Sequence, residues 1–109
     1  MPDSPPLVSV VAPCHNEEPN IEPLYRAIRF HLHSETWQYQ LVLVDDGSTD
    51  ATWAAICRIA QRDPRVRGVR LARSFGQQAA ILAGLRHASG EAVVTMAAST
   101  ASRGRPMKM

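Results

Sequence analysis

The chain has 109 residues, 45% apolar and 20% charged, with a formal charge of +2. That suits one ordinary globular domain with a sizeable core. The basic excess is local: without Arg103, Arg105 and Lys108, nine basic residues face ten acidic ones, which argues against a general nucleic-acid footprint. No stretch approaches the roughly 20 apolar residues of a membrane-spanning helix, so no transmembrane segment is expected.

Leu7–Ala12 (LVSVVA) is a first apolar run closed by Pro13. Ile21, Leu24, Tyr25, Ile28 and Leu32 then recur at helical spacing, with Asn20 as the expected N-cap and Pro23 tolerated in the first turn. Leu41–Val44 is a second strand, short and unbroken, as strands buried on both faces read. It stops on Asp45 and Asp46, followed by Gly47 for a turn and Ser48, Thr49 and Asp50 to start a helix. That second helix is expected to carry Trp53, Ile56, Cys57 and Ala60 on one face and to end near Asp63-Pro64.

Val66–Leu71 reads as a third strand, and Gln77–Ala88 as an alanine-rich helix stopped by a glycine signal at Ser89-Gly90. Ala92–Met96 is a fourth strand. The order β-α-β-α-β-α-β implies an α/β fold with a parallel, Rossmann-like sheet and right-handed crossovers. Residues 97–109 (AASTASRGRPMKM) have no periodicity and read as a disordered tail.

Ligands on open parallel sheets bind at the carboxyl ends of the strands. Three such ends carry polar groups here: Cys14, His15, Asn16, Glu17 and Glu18; then Asp45 and Asp46; then Arg73 through Gln78. Acceptors and a cation on one edge suit a ligand with a donor-rich base, a ribose and phosphates, because a carboxylate accepts imide or guanine N–H groups and an arginine meets a diphosphate oxygen. Each cluster alone has a plainer reading: the two acidic ones suit a helix entry as well as a site, and Arg73 taken singly reads rather as a surface arginine; their convergence is the signal. There is no G-x-G-x-x-G and no Walker loop, against dinucleotide enzymes and P-loop NTPases. Cys14 and Cys57 lack metal-site spacing and are expected to be reduced thiols of a cytoplasmic protein. His31 and His33 point to different helix faces, against metal ligation. The start, MPDSPP, has no signal-peptide pattern.

The stretches VVAPCHNEEPNIEPL, LVLVDDGSTDAT and RSFGQQAAILAGLRHASGEAVVTM resemble the family 2 inverting glycosyltransferases of GT-A fold, and more narrowly the polyprenyl-phosphate subfamily. The resemblance covers Leu7 to Met96 and implies the nucleotide-sugar-binding part of such a domain. It implies a pocket of Pro13, His15 (where tyrosine is usual), Asn16 and Glu17, with Asp45 on the base, Asp46 supporting it, and Arg73 and Gln77 near the diphosphate. The implied reaction is inverting transfer from a UDP- or GDP-sugar to a polyprenyl phosphate, at the cytoplasmic face of the membrane and in cell-envelope assembly. The family's Mg or Mn would sit on an Asp-x-Asp after the fourth strand, but Ala97, Ala98 and Ser99 stand there, and none is a strong ligand for a hard cation. The expectation is therefore a truncated, inactive enzyme with no catalytic or metal residue of its own, carrying an out-of-frame tail. The alternatives are a non-catalytic nucleotide-binding module and an inert gene product.

Overall fold

The computed structural model describes residues 5–96; the expected tail, residues 97–109, lies outside them. Four strands and three helices alternate: β1 (Leu7–Cys14), α1 (Glu18–Leu32), β2 (Gln38–Asp45), α2 (Thr52–Arg62), β3 (Val66–Arg70), α3 (Gln77–His87) and β4 (Ala92–Thr95). All pairs are parallel and the sheet order is β3-β2-β1-β4. The chain thus steps outward from β1 to β3, then returns to β1's other side. That reversal is where open α/β sheets form their binding crevice.

The core forms because β1 and β2 are apolar on both faces. Val10, Ala12, Cys14, Leu41 and Leu43 pack with Ile21, Leu24, Tyr25 and Ile28 of α1 and Ala55, Ile56 and Ile59 of α2. The alternate residues Val11, Val42 and Val44 face Ala80 of α3. A period of two therefore divides one sheet between two helical layers. Alanine and glycine on α3 let it lie close. A Cβ on Gly84 would run into Val11 Cγ1 and come within 2.9 Å of Val44 Cγ2.

Four local expectations are corrected. Helix α1 starts at Glu18, with proline in its first turn, so Asn20 lies inside the helix and its side chain bonds Glu17 Oε1 (2.6 Å). Proline's fixed φ favours an early helix start. Helix α2 buries Thr52, Ala55, Ile56 and Ile59, whereas Trp53, Cys57 and Ala60 are only half-buried; the buried stripe is turned by about one residue, with Trp53 and Ala60 at the core's margin and Trp53 spread over Gly68. Gly90 does not cap α3, whose C-cap is the extended Ala88. A Cβ at Gly90 would sit 2.7 Å from Ser9 N and 2.8 Å from Leu7 O, so close backbone approach requires glycine there. Finally, β1 runs through Pro13 to Cys14. Pro13 follows Val11 by two residues and so faces the same side, beyond the last β1–β4 pair (Val11↔Thr95), where no N–H is required.

Candidate functional site

The carboxyl ends of β1, β2 and β3 meet at one edge, and their loops are tied by hydrogen bonds. Asn16, in the left-handed region at φ 51°, is the first tie. Its Oδ1 accepts from Thr49 N (2.8 Å) and Thr49 Oγ1 (3.3 Å), and its N–H donates to Ser48 Oγ (2.9 Å). Glu17 N–H donates to Thr52 Oγ1 (2.9 Å) and Glu18 N–H to Asp50 Oδ2 (3.4 Å). The loops after β1 and β2 thus form one body. The Thr52 hydroxyl, bonded to Asp50, holds that carboxyl below its ordinary range against a smaller opposing effect of burial.

Asp45 and Asp46 differ sharply. Asp45 is fully buried; Oδ1 accepts from Ser48 N (3.0 Å), while the equally buried Oδ2 has no hydrogen bond and lies 3.8 Å from Arg70 Nε. Buried polar atoms are normally satisfied, so an orphaned carboxylate oxygen is an acceptor in want of a donor. Arg70, paired with Asp45 in the sheet register, stacks its guanidinium on Trp53 (5.6 Å). Asp46 is fully engaged: Oδ1 accepts from Phe75 N (2.7 Å), and Oδ2 from Ser74 Oγ (3.0 Å) and Gly76 N (3.1 Å). Its N–H donates to Cys14 O (2.8 Å), and its carbonyl accepts from His15 Nδ1 (2.6 Å). A carbonyl only accepts, so Nδ1 carries the proton.

Pro13 is buried at the end of β1, His15 is exposed, and Glu17 accepts from Asn20. Arg73 and Gln77 are exposed, at the start of the β3–α3 loop and of α3. The Arg73 guanidinium lies over Phe75 (4.8 Å). The three clusters read from the sequence therefore share one edge, although Asn16 and Asp46 use their side chains on the protein itself. Ser48, Thr52 and Arg70 were missed. Hydroxyls beside a turn offer no pattern of their own, and Arg70 becomes visible only through strand register. Cys14 is no nucleophile: burial, then the Asp45 and Glu17 charges, push its thiol up to about 12. Both cysteines are free.

The family's divalent ion does not fit these residues. Asp46 has no free oxygen, Asp45 offers one beside an arginine, and among the described residues no three His, Cys, Asp or Glu side chains gather to hold a metal.

At one edge of a parallel α/β sheet the site thus gathers an orphaned carboxylate oxygen and two arginines, without a glycine-rich phosphate loop. Comparison with known proteins supplies the family. The profile of Glycosyl transferase family 2 matches residues 9–98, and the chain belongs to that family. It is similar to the bactoprenol glucosyl transferase of Shigella phage SfV, 39% identical over 87 residues, 80% of this chain and 28% of that one. It is 41% identical over 91 residues to the undecaprenyl-phosphate 4-deoxy-4-formamido-L-arabinose transferase of Edwardsiella ictaluri, covering 83% of this chain and 28% of the relative. The chain thus spans under a third of the length of the relatives it matches. Among solved GT-A structures, the mannosyltransferase PcManGT of Pyrobaculum calidifontis, in complex with GDP-Man and Mn2+, superposes with a TM-score of 0.75 at 33% identity over 88% of this chain and 28% of that one.

Proposed function

We propose that residues 7–96 are the nucleotide-sugar-binding part of a glycosyltransferase. Its reaction is inverting transfer from a UDP- or GDP-sugar to a polyprenyl phosphate at the cytoplasmic face of a membrane. Pro13, His15, Asn16 and Glu17 border the pocket, Asp45 accepts from the base, and Arg73 and Gln77 lie toward the diphosphate. One observation carries the reading: the buried Asp45 Oδ2, without a hydrogen bond, at the carboxyl end of β2. A base N–H there would satisfy an atom that is otherwise costly to bury. The relatives acting on bactoprenol and undecaprenyl phosphate favour a polyprenyl acceptor. Among the described residues no helix is long and apolar enough to cross a bilayer.

This chain does not itself complete the transfer. In such enzymes a divalent ion neutralises the departing diphosphate. Here Ala97, Ala98 and Ser99 follow the fourth strand, where the family's Asp-x-Asp would stand. The tail from residue 97 reads as out of frame with the family. Incubating the purified chain with UDP-glucose or GDP-mannose, Mn2+ and undecaprenyl phosphate is expected to yield no glycolipid. Metal-dependent product would overturn this part of the reading. The second reading, a nucleotide-binding module without catalysis, is favoured by the same Asp45 oxygen, since that acceptor needs no metal.

A further inference from the structure

We propose that Asp46 is a positioning residue. Its carboxylate fastens the Arg73–Gly76 loop so that the Arg73 guanidinium is set to meet a diphosphate, and it contacts no ligand itself. This rests on the nucleotide reading of the strand-end site.

Asp46 is 5% exposed, and both its oxygens are taken by the 74–76 segment. A ligand would have to break bonds to a charged acceptor, which are the stronger kind. The segment has little else to hold it. Residues 72–78 are exposed, and Phe75 at 53% supplies no buried apolar anchor. The turn beneath is shaped for the contact: Gly47 stands at φ +62°, and a Cβ there would strike Ser74 N and the Arg73 carbonyl carbon and lie 2.8 Å from Arg73 Cα. Two loop backbones therefore touch, and Asp46 clamps one to the other. Arg73 stacks on the ring of Phe75, whose N–H Asp46 holds. The order is passed from Asp46 to Phe75 to Arg73. A cation ordered before binding costs less entropy when the anion arrives. The adjacent carboxylates thus divide the work: Asp45 keeps an oxygen for the ligand, and Asp46 spends both on the protein.

Asparagine at 46 can serve only part of this set. With its oxygen on Phe75 N, its amide faces the Gly76 N–H; reversed, it faces the Phe75 N–H. Titrating the full chain with UDP and GDP, Asp46→Asn is expected to weaken binding about tenfold, from the loss of a charge-assisted bond. Arg73→Ala should do so by a similar factor. The double variant should fall no more than about twofold below the weaker single, because both act through one guanidinium. Ser74→Ala, which keeps the carboxylate and two of its bonds, should cost about twofold to threefold and nothing further in Arg73→Ala. This second cycle decides the matter if Asp46→Asn does not fold. Multiplying losses, or unchanged affinity in Asp46→Asn, would overturn the proposal. If the wild-type chain binds neither nucleotide, the functional reading fails by itself. The fastening is then judged by amide exchange: Phe75 and Gly76 protected in wild type and released in Asp46→Asn uphold it, whereas fast exchange in wild type overturns it.

Discussion

The two cysteines show how burial decides chemistry at a single residue. Cys14 lies under the strand-end loops with its thiol pushed up to about 12, while Cys57 is half-buried on the outer flank of α2. Iodoacetamide at pH 8 is expected to label Cys57 alone in the folded chain and both residues in urea; native labelling of Cys14 would contradict the packing. The same shift sets an alkaline limit. Because Cys14 ionises near 9.0 when unfolded and near 12 when folded, its contribution is complete below pH 9 and is lost as pH climbs toward 12. Tyr25 and Tyr39, raised first by burial, act in the same direction. Asp63 sets the acid limit. Burial pushes its carboxyl up, but the Tyr25 hydroxyl (2.6 Å), the Arg65 N–H (2.9 Å) and the Arg65 and Arg29 charges outweigh it and hold it below 3.8. That contribution is present above pH 3.8 and is lost as pH falls below it. The melting temperature should therefore be flat between about pH 5 and 8 and fall on both sides; a rise from pH 9 to 11 would contradict these assignments.

At the scale of elements, strands and helices were legible because both periods are clean. LVLV marks a strand buried on two faces, and 21, 24, 25, 28 marks the inner stripe of α1. What was not legible depends on contacts distant in sequence. Helical spacing placed Trp53 on one face with Ile56, yet it is only half-buried at the core's margin, over Gly68 on β3. Gly90 looked like a helix stop but serves strand β1, more than 80 residues away. The acidic pair was visible in the sequence as a strand end, but its split into a free and a bound carboxylate needed the 74–76 loop in place. Gly84 gives the direct test of helix seating. Gly84→Val would press on Val11 and Val44 and is expected to cost about 2 kcal/mol in urea unfolding, as overpacked cores do. A neutral result would mean that α3 does not lie that close.

Across the whole molecule, apolar surface is unevenly distributed. Leu82 and Leu85 on α3 and Val93 and Val94 on the edge strand β4 are between 39% and 57% exposed, and an exposed, apolar edge strand invites association. Light scattering of the purified chain is expected to rise with concentration and to diminish in Leu82→Glu/Val93→Lys. A concentration-independent monomer would contradict this. The site is built on the loops after β1, β2 and β3, where the hydrogen bonds of Asn16, Asp46 and Thr52 join three loops into one wall. On the proposed reading this wall accepts a nucleoside diphosphate through the free oxygen of Asp45. Isothermal titration of UDP and GDP into the chain, in EDTA and in Mn2+, tests that claim most directly. Saturable binding to one nucleotide, unchanged by EDTA and reduced at least about tenfold in Asp45→Ala, is the predicted result. Binding that requires metal, survives Asp45→Ala or is absent for both nucleotides would contradict it.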